Sequence, residues 1–526
     1  MAATTLKQAA AGPPAAHKWL VTIAVMLGAT MEILDTSIAN VALPYMQGSF
    51  SVTVDEITWV LTSYVIANGI MIPMTGWISA RFGRKRYFMT SVVIFIVASG
   101  LCGIAQSLSE MVVFRLLQGA AGAAMIPSSQ AILMETFPPS EQAMAMSMWG
   151  LGIIMAPIFG PTLGGWITDN LNWRWNFYIN VPIGIFSLIM VYAFVSDPPY
   201  LTRRKNIRTD YLGILFLVVA LGLMQIVLDR GQRSGWFSAA WVRYFTFFSV
   251  TSAILLVFHE LHFSEPIVDF RIFRYPAFAV SVLMIMVMVL GLYAINLLNP
   301  LFLQDLLGYN AWRAGLAVLP RGVGAGIAML LVGFLSRRGI DTRPLMGMGF
   351  AVGAWAAWQM SYWNLQVSMD VIFWPILLFG LVSMAFPLLS AGALADLPNE
   401  RMGYGSSLYN MMRAIGAAIG ISLVSNLLAR RAQIHQSHLV KDLSPFTAWQ
   451  FSQRQPLVPG GIHLNLAPAL AHGNKLGLGL AYSIIRKQST LMAYNDIYRL
   501  IAFLMLCLIP WFLLLRKPGT DRPPAH

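Results

Sequence analysis

The sequence predicts an all-α polytopic membrane protein: fourteen transmembrane helices, set as two six-helix bundles with two extra central helices. Three observations lead there. First, 57% of the 526 residues are apolar and only 11% are charged, against about 25% charged in an ordinary soluble domain. Second, apolar runs of about 20 residues, the length of a membrane-spanning helix, recur at intervals of about 30. Third, basic residues gather in alternate short loops, the bias that orients membrane proteins. An apolar total of roughly 300 residues is far more than one globular core can hide. Fourteen spans of about 21 residues would absorb about 295 of them. Backbone groups in lipid must find internal partners, which allows helices or a closed barrel, and runs without strict alternation select helices.

The elements follow in order. Residues 1–18 are polar, small and proline-containing, and form an N-terminal extension. The first span, near 19–42, is too long for a signal-peptide core and carries Glu32 and Asp35, so it is a retained helix. Spans near 56–79, 87–106, 111–134, 144–167 and 176–196 complete an N-terminal bundle over 19–196. A basic connection opens the segment 197–265, whose spans near 211–229 and 241–259 are inserted between the halves. The C-terminal bundle, 266–516, holds spans near 278–303, 313–335, 344–362, 370–394, 404–428 and 495–515. Between its last two spans lies a long outer segment, 430–493. The middle of that segment, PLVPGGIHLNLAP, reads as turn, and 467–489 reads as an amphipathic helix. Residues 517–526 form a tail.

Fourteen crossings put both termini on one side, and the basic residues choose the cytoplasm. On that side fall Arg81, Arg84, Lys85, Arg86, the run Arg203 to Arg208, Arg271, Arg274, Arg337, Arg338, Arg343 and Arg401, while the short outer loops hold few. The net charge of +13 is therefore a topology signal rather than a nucleic-acid surface. Cys102 and Cys507 lie in apolar runs, so neither a disulfide framework nor a cysteine zinc site is expected. A weak repeat supports the two-bundle plan. GWISARFGRK (76–85) follows the second span and GFLSRRG (333–339) follows the tenth, and paired six-helix bundles are a transporter architecture.

Five motifs fall on successive spans: LDTSIANVALP (34–44), GWISARFGRK, RLLQGAAGAA (115–124), APIFGPTLGG (156–165) and WRWNFYINVPIG (173–184). Together they resemble the fourteen-span drug:proton antiporter family of the major facilitator superfamily. LFLQDLLGYNAWRAGLAVLPRG (301–322) and LMAYNDIYRL (491–500) are most similar to EmrB-type multidrug efflux pumps. The resemblance implies the major facilitator fold in a bacterial inner membrane. It also implies a proton gradient instead of a cofactor, and a periplasmic adaptor protein and an outer-membrane channel as partners. It departs at Ala80, where the family loop usually has an acid. That removes the basis for a charge relay through the loop.

The residues carry their own reading. Glu32 and Asp35 are three apart and share a helical face. Acids in mid-membrane are expensive and face a cavity or a partner. Such a pair in low dielectric is suited to binding and releasing a proton. Arg115 needs a counter-charge or carbonyls. The resemblance places it facing the central cavity near the first span, as a sensor of Asp35 or Glu32. Gln118, Asn40 and Arg413 are assigned to the substrate cavity; Arg413 either lines it or, like Arg321, pairs with Asp305 or Asp396. Gly119 and Gly122 read as close-packing residues. Pro157, Gly160, Pro161, Gly164 and Gly165 read as a tight, bent helix seam, and the resemblance adds a link to exchange. Gly76, Arg81, Gly83, Arg84 and Lys85 either anchor the inner face or latch the bundles. No P-loop is present, HELH (259–262) is assigned to an inner-face loop, and His435 to His438 are too sparse for a metal site.

The expected activity is proton-coupled export of lipophilic or amphipathic compounds, in which substrate displaces a proton from Asp35 or Glu32. No enzyme active site is expected. The competing readings are a major facilitator importer or exporter of a specific metabolite, a membrane enzyme, and a non-transporting scaffold or sensor.

Overall fold

The computed structural model describes residues 15–197, 209–338, 340–441 and 475–515. The basic run 203–208, the turn around 456–468 and both chain ends lie outside the described residues. Every regular element within them is helical. The long helices are α1 (Ala15–Phe50), α2 (Trp59–Phe82), α3 (Arg84–Ile104), α4 (Leu108–Thr136), α5 (Gln142–Asn170), α6 (Asn180–Phe194), α7 (Tyr211–Arg230) and α8 (Ala240–His262). They continue as α9 (Pro276–Leu301), α10 (Ala311–Arg337), α11 (Arg343–Met360), α12 (Met369–Ala395), α13 (Met402–Lys441) and α14 (Lys475–Leu508).

Among the described residues, 13 helices are long and apolar enough to cross a membrane. The other long helix, α11, stands where the eleventh span was expected. Its apolar content is diluted by glycines that bring backbones together. A Cβ on Gly349 would stand 3.0 Å from the Leu381 carbonyl oxygen, and one on Gly347 would stand 2.9 Å from the Phe512 ring. Small residues drive helix association in lipid, where apolar bulk gives no advantage.

Helix lengths differ from expectation at the end of the chain. Residues 430–441 continue α13, and residues 475–493 belong to α14. At 1.5 Å per residue α13 is about 60 Å long, twice the roughly 30 Å hydrocarbon core. The apolar run marks where lipid ends; the backbone ladder simply continues beyond it. The described parts of the long outer segment are helical extensions, and 475–489 lies within the stretch expected to be an amphipathic helix. HELH is also not a loop. His259 to His262 form the last turn of α8.

Two bundles organise the chain. In the first, α1 packs on α5 and α6, α2 on α4, and α3 on α4 and α6. In the second, α9 packs on α12 and α13, α10 on α12, and α14 on α11 and α13. α4 and α12 occupy the same place in the two halves, and both are interrupted: α4 at Ala123–Ala124, α12 by a 3-10 turn at Leu381–Met384. α7 and α8 pair with each other, and α7 lies along α2. At its far end α7 is tied to α2 where Thr62 Oγ1 donates to Asp229 Oδ2 at 2.6 Å and Arg230 Nη2 donates to Thr58 Oγ1 at 2.9 Å.

The bundles meet through α2–α13, α5–α10, α5–α12 and α4–α13. The contacts that define this seam sit in the half of the molecule bearing the α2–α3 loop. A Cβ on Gly76 would stand 2.7 Å from Tyr404 Cα, and one on Gly333 would stand 3.3 Å from Ser147 Cβ. These are the leading glycines of the two sequence repeats, so the repeat marks symmetric crossing points. Trp149 stacks on Phe386 at 5.9 Å. Within the seam, Asn410 Nδ2 donates to Gln130 Oε1 at 2.5 Å, and Ser406 Oγ donates to the Pro127 carbonyl at 2.6 Å.

Candidate functional site

α1 carries both acids one turn apart, and each has a different shell. Asp35 is 1% exposed. Its Oδ2 accepts from Arg115 Nη1 at 2.6 Å, and its Oδ1 accepts from Gln118 Nε2 at 2.8 Å and Asn180 Nδ2 at 2.6 Å. Arg115 is fully buried; its Nη1 also donates to Gln118 Oε1 at 2.7 Å and its Nε to the Val60 carbonyl at 3.1 Å. The guanidinium lies 4.2 Å from the Tyr64 ring centre, a cation–π arrangement strengthened by desolvation. Asn180 in turn donates to Ser99 Oγ at 3.0 Å, and Ser99 Oγ donates to the Phe177 carbonyl at 2.8 Å. A buried ion pair is tolerable when further hydrogen bonds satisfy its remaining atoms; groups on α1, α2, α4 and α6 supply most of them, while Arg115 Nη2 has no hydrogen-bond partner.

Glu32 is 6% exposed and only half satisfied. Asn68 Nδ2 donates to its Oε1 at 2.8 Å, while Oε2 has no hydrogen-bond partner. Gly122 of α4 makes room for it: a Cβ there would stand 3.3 Å from Glu32 Cγ and 2.7 Å from the Tyr64 hydroxyl. Across the seam, Arg413 of α13 is half-buried and makes no hydrogen bond or ion pair among the described residues. The two small residues after it seat α13 on α9, with Cβ atoms on Gly416 and Gly420 falling 2.5 Å from the Met286 and Leu290 carbonyl oxygens. Arg321 on α10 is also half-buried and likewise unpaired among the described residues.

The structure thus brings together Glu32, Asp35, Arg115, Gln118 and Arg413. It leaves Asn40 apart: that residue is exposed, and its amide donates to the Thr36 carbonyl of its own helix at 2.8 Å. The proline–glycine run of α5 packs directly behind the acids. A Cβ on Gly160 would collide with the Ser37 side chain, one on Gly164 would stand 3.0 Å from Ile38, and Ser37 Oγ donates to the Pro157 carbonyl at 3.4 Å. Pro157 and Pro161 sit inside the helix on its exposed side, and Gly165 has more room.

The α2–α3 loop finds acids elsewhere than at position 80. Gly83 adopts φ 89°, a conformation open to glycine. Arg84 pairs with Glu135 of α4, and the Lys85 backbone N–H donates to Asp197 Oδ1 at 2.8 Å. Arg81 Nη1 donates to Thr209 Oγ1 at 2.6 Å, at the entry to α7. A cavity of about 210 Å³ opens beside this loop, lined by His17, Arg84, Lys85, Glu135 and Asp197 among others. Asn68, Asn180, Glu135 and Asp197 are site residues that sequence reasoning did not single out. Asn180 lies inside a quoted motif, and a lone amide in an apolar run is the only signal it offers.

A buried carboxylate–arginine centre inside the first of two helical bundles, with a half-satisfied acid one turn away, fits a polytopic membrane transporter. The chain belongs to the Major Facilitator Superfamily, whose family model matches residues 25–421. It is 35% identical over 430 residues to the multidrug export protein EmrB of Escherichia coli strain K12, covering 81% of this chain and 83% of that one. It is 32% identical over 513 residues to the fatty acid resistance protein FarB of Neisseria gonorrhoeae, covering 97% and 98%. Two solved structures share the fold. The human organic anion transporter MFSD10 matches with a TM-score of 0.60 at 13% identity, over 94% of this chain and all of that one. The proton:xylose symporter XylE matches with a TM-score of 0.56 at 16% identity, over 96% and 98%.

Proposed function

We propose that the chain is a proton-coupled exporter of lipophilic or amphipathic compounds. It lies in a bacterial inner membrane with both termini in the cytoplasm. The observation that carries the coupling is the free Oε2 of Glu32, buried on α1 beside Asn68 and Gly122. A dry carboxylate with an unsatisfied oxygen is costly when charged, so it takes up a proton unless a ligand or Arg413 compensates it. Asp35 is held by three donors, Arg115, Gln118 and Asn180. Similarity to proteins named for multidrug export and fatty acid resistance supports the outward direction of transport and the lipophilic substrate class.

With the basic loops in the cytoplasm, the seam described above closes the cytoplasmic half, as this reading requires of an outward-facing state. A proton from outside binds Glu32 and substrate leaves. The bundles then rock about the midplane, and substrate arriving from the cytoplasm or inner leaflet displaces the proton inward. The membrane potential supplies about 2.3 kcal/mol per charge per 100 mV, and each pH unit adds about 1.4 kcal/mol. Because α13 and α14 run past the bilayer on the outer side, their extensions are the docking site for a periplasmic adaptor protein that leads to an outer-membrane channel.

In proteoliposomes with an imposed pH gradient, Glu32→Gln should lose uphill efflux while retaining substrate exchange at equal pH. Uphill efflux at the wild-type rate by this variant would refute the coupling role.

A further inference from the structure

A second dry carboxylate lies far from the central site, where α7 begins and α8 ends. Glu260 is 0% exposed, its Oε2 accepts from the Ile267 backbone N–H at 2.9 Å, and its Oε1 has no partner. Asp210 is 3% exposed and caps α7, its Oδ1 accepting from the Gly213 N–H at 2.8 Å. The unpartnered Glu260 Oε1 and Asp210 Oδ2 crowd the same point above Gly213: a Cβ there would stand 2.8 Å from the first and 2.6 Å from the second. Only glycine leaves that space. His259 closes the outer side, with Nε2 at 2.9 and 2.8 Å from the two Asp210 oxygens, and its side chain is a quarter exposed.

Among the described residues, the charged side chains nearest this junction have partners of their own, and Arg81 donates to Thr209 Oγ1, next to Asp210, at 2.6 Å. Asp269 accepts from the Arg271 N–H at 3.2 Å and pairs with Arg401, at the start of α13, at 3.5 Å. The Arg271 guanidinium donates to the Leu261 and Phe263 carbonyls at 2.9 and 2.8 Å. Glu265 has a partner of its own. No cation among these reaches the Glu260 Oε1. A second carboxylate charge at this buried point is costly, and among the described residues no group of such side chains is placed to hold a metal ion.

We infer that Glu260, buried with a free Oε1 beside Asp210, holds a proton as a second proton-binding site outside the transport path. The proton keeps Glu260 neutral while its Oε2 holds the α8–α9 elbow at Ile267. The elbow in turn grips the C-terminal bundle through Asp269 and Arg401. Loss of the proton at high cytoplasmic pH places two charges at the point above Gly213 and loosens that grip. Cytoplasmic pH thereby acts on the inserted helices independently of Glu32.

Infrared titration of the purified protein in lipid nanodiscs tests this with no transport readout. The wild type should show carboxylic-acid carbonyl bands that disappear as pH rises. Glu260→Gln should lose one band, and Glu32→Gln should lose a different one, which separates this site from the central one. Asp210→Asn should keep the Glu260 carboxyl band but shift its titration, because the neighbouring charge is gone. Hydrogen exchange at Ile267 should quicken at high pH in the wild type and become pH-insensitive in Glu260→Gln once intrinsic exchange is divided out. A carboxylic-acid spectrum identical in wild type, Glu260→Gln and Asp210→Asn would overturn the proposal, as would unchanged pH dependence of exchange at Ile267.

Discussion

Asp35 and Glu32 stand one turn apart on α1, yet their surroundings assign them opposite behaviour. Asp35 receives donors from Arg115, Gln118 and Asn180, so neutralising it strands the buried guanidinium. Removing one partner of a buried pair costs about 3–5 kcal/mol. Asp35→Asn should therefore lower the thermal unfolding midpoint of the purified protein and also abolish efflux, whereas Glu32→Gln should melt near the wild type. Equal melting of both variants would contradict the division of roles. Much of this site was legible in the chain. Two acids at helical spacing, and an arginine with a glutamine one turn on, are conspicuous in apolar runs. What escaped notice was Asn68 and Asn180. Their importance comes from α2 and α6 meeting α1, which no spacing within one helix reveals. The side to which Arg413 turns was likewise undetermined, since an arginine in an apolar run reads the same whether paired or free.

At the scale of elements, packing glycines decide where helices cross. Gly76 and Gly333 open the two repeats and sit at equivalent bundle crossings against Tyr404 and Ser147. A bulky side chain at such a point costs about 1–3 kcal/mol, and it does so only while the seam is closed. Gly76→Leu should thus shift the population roughly tenfold or more toward the cytoplasm-open state. Spin labels on the loop ends of α2 and α12 would read this as a longer distance, and an unchanged distance distribution would count against it. The repeat was visible in the sequence, although its meaning as a crossing point was not. The ends of α13 and α14 were the least legible. Polar residues that continue a helix into water look like loop to any reading based on apolar runs. If those extensions receive an adaptor, deleting 440–485 should reduce whole-cell resistance while leaving transport in proteoliposomes largely intact. Full resistance after the deletion would remove the adaptor reading.

Over the whole molecule, two bundles are pinned together at one end, a half-satisfied acid is buried in the first, and of the two inserted helices α7 lies along α2 while α8 packs on α7. The fold class and helix order could be read from composition, span spacing and loop charge, because lipid allows so few solutions for a chain this apolar. The conformational state could not, since both states bury nearly the same residues and differ in which halves touch. Everything functional then rests on competition: the same carboxyl of Glu32 holds either a proton or the compensation brought by a substrate. Proton release on substrate binding measures that competition directly. When a transported lipophilic compound is added to the purified protein in weakly buffered detergent solution, the wild type should release protons in proportion to binding, and Glu32→Gln should bind without releasing any. Binding by the wild type with no proton released, or undiminished release by Glu32→Gln, would contradict the account.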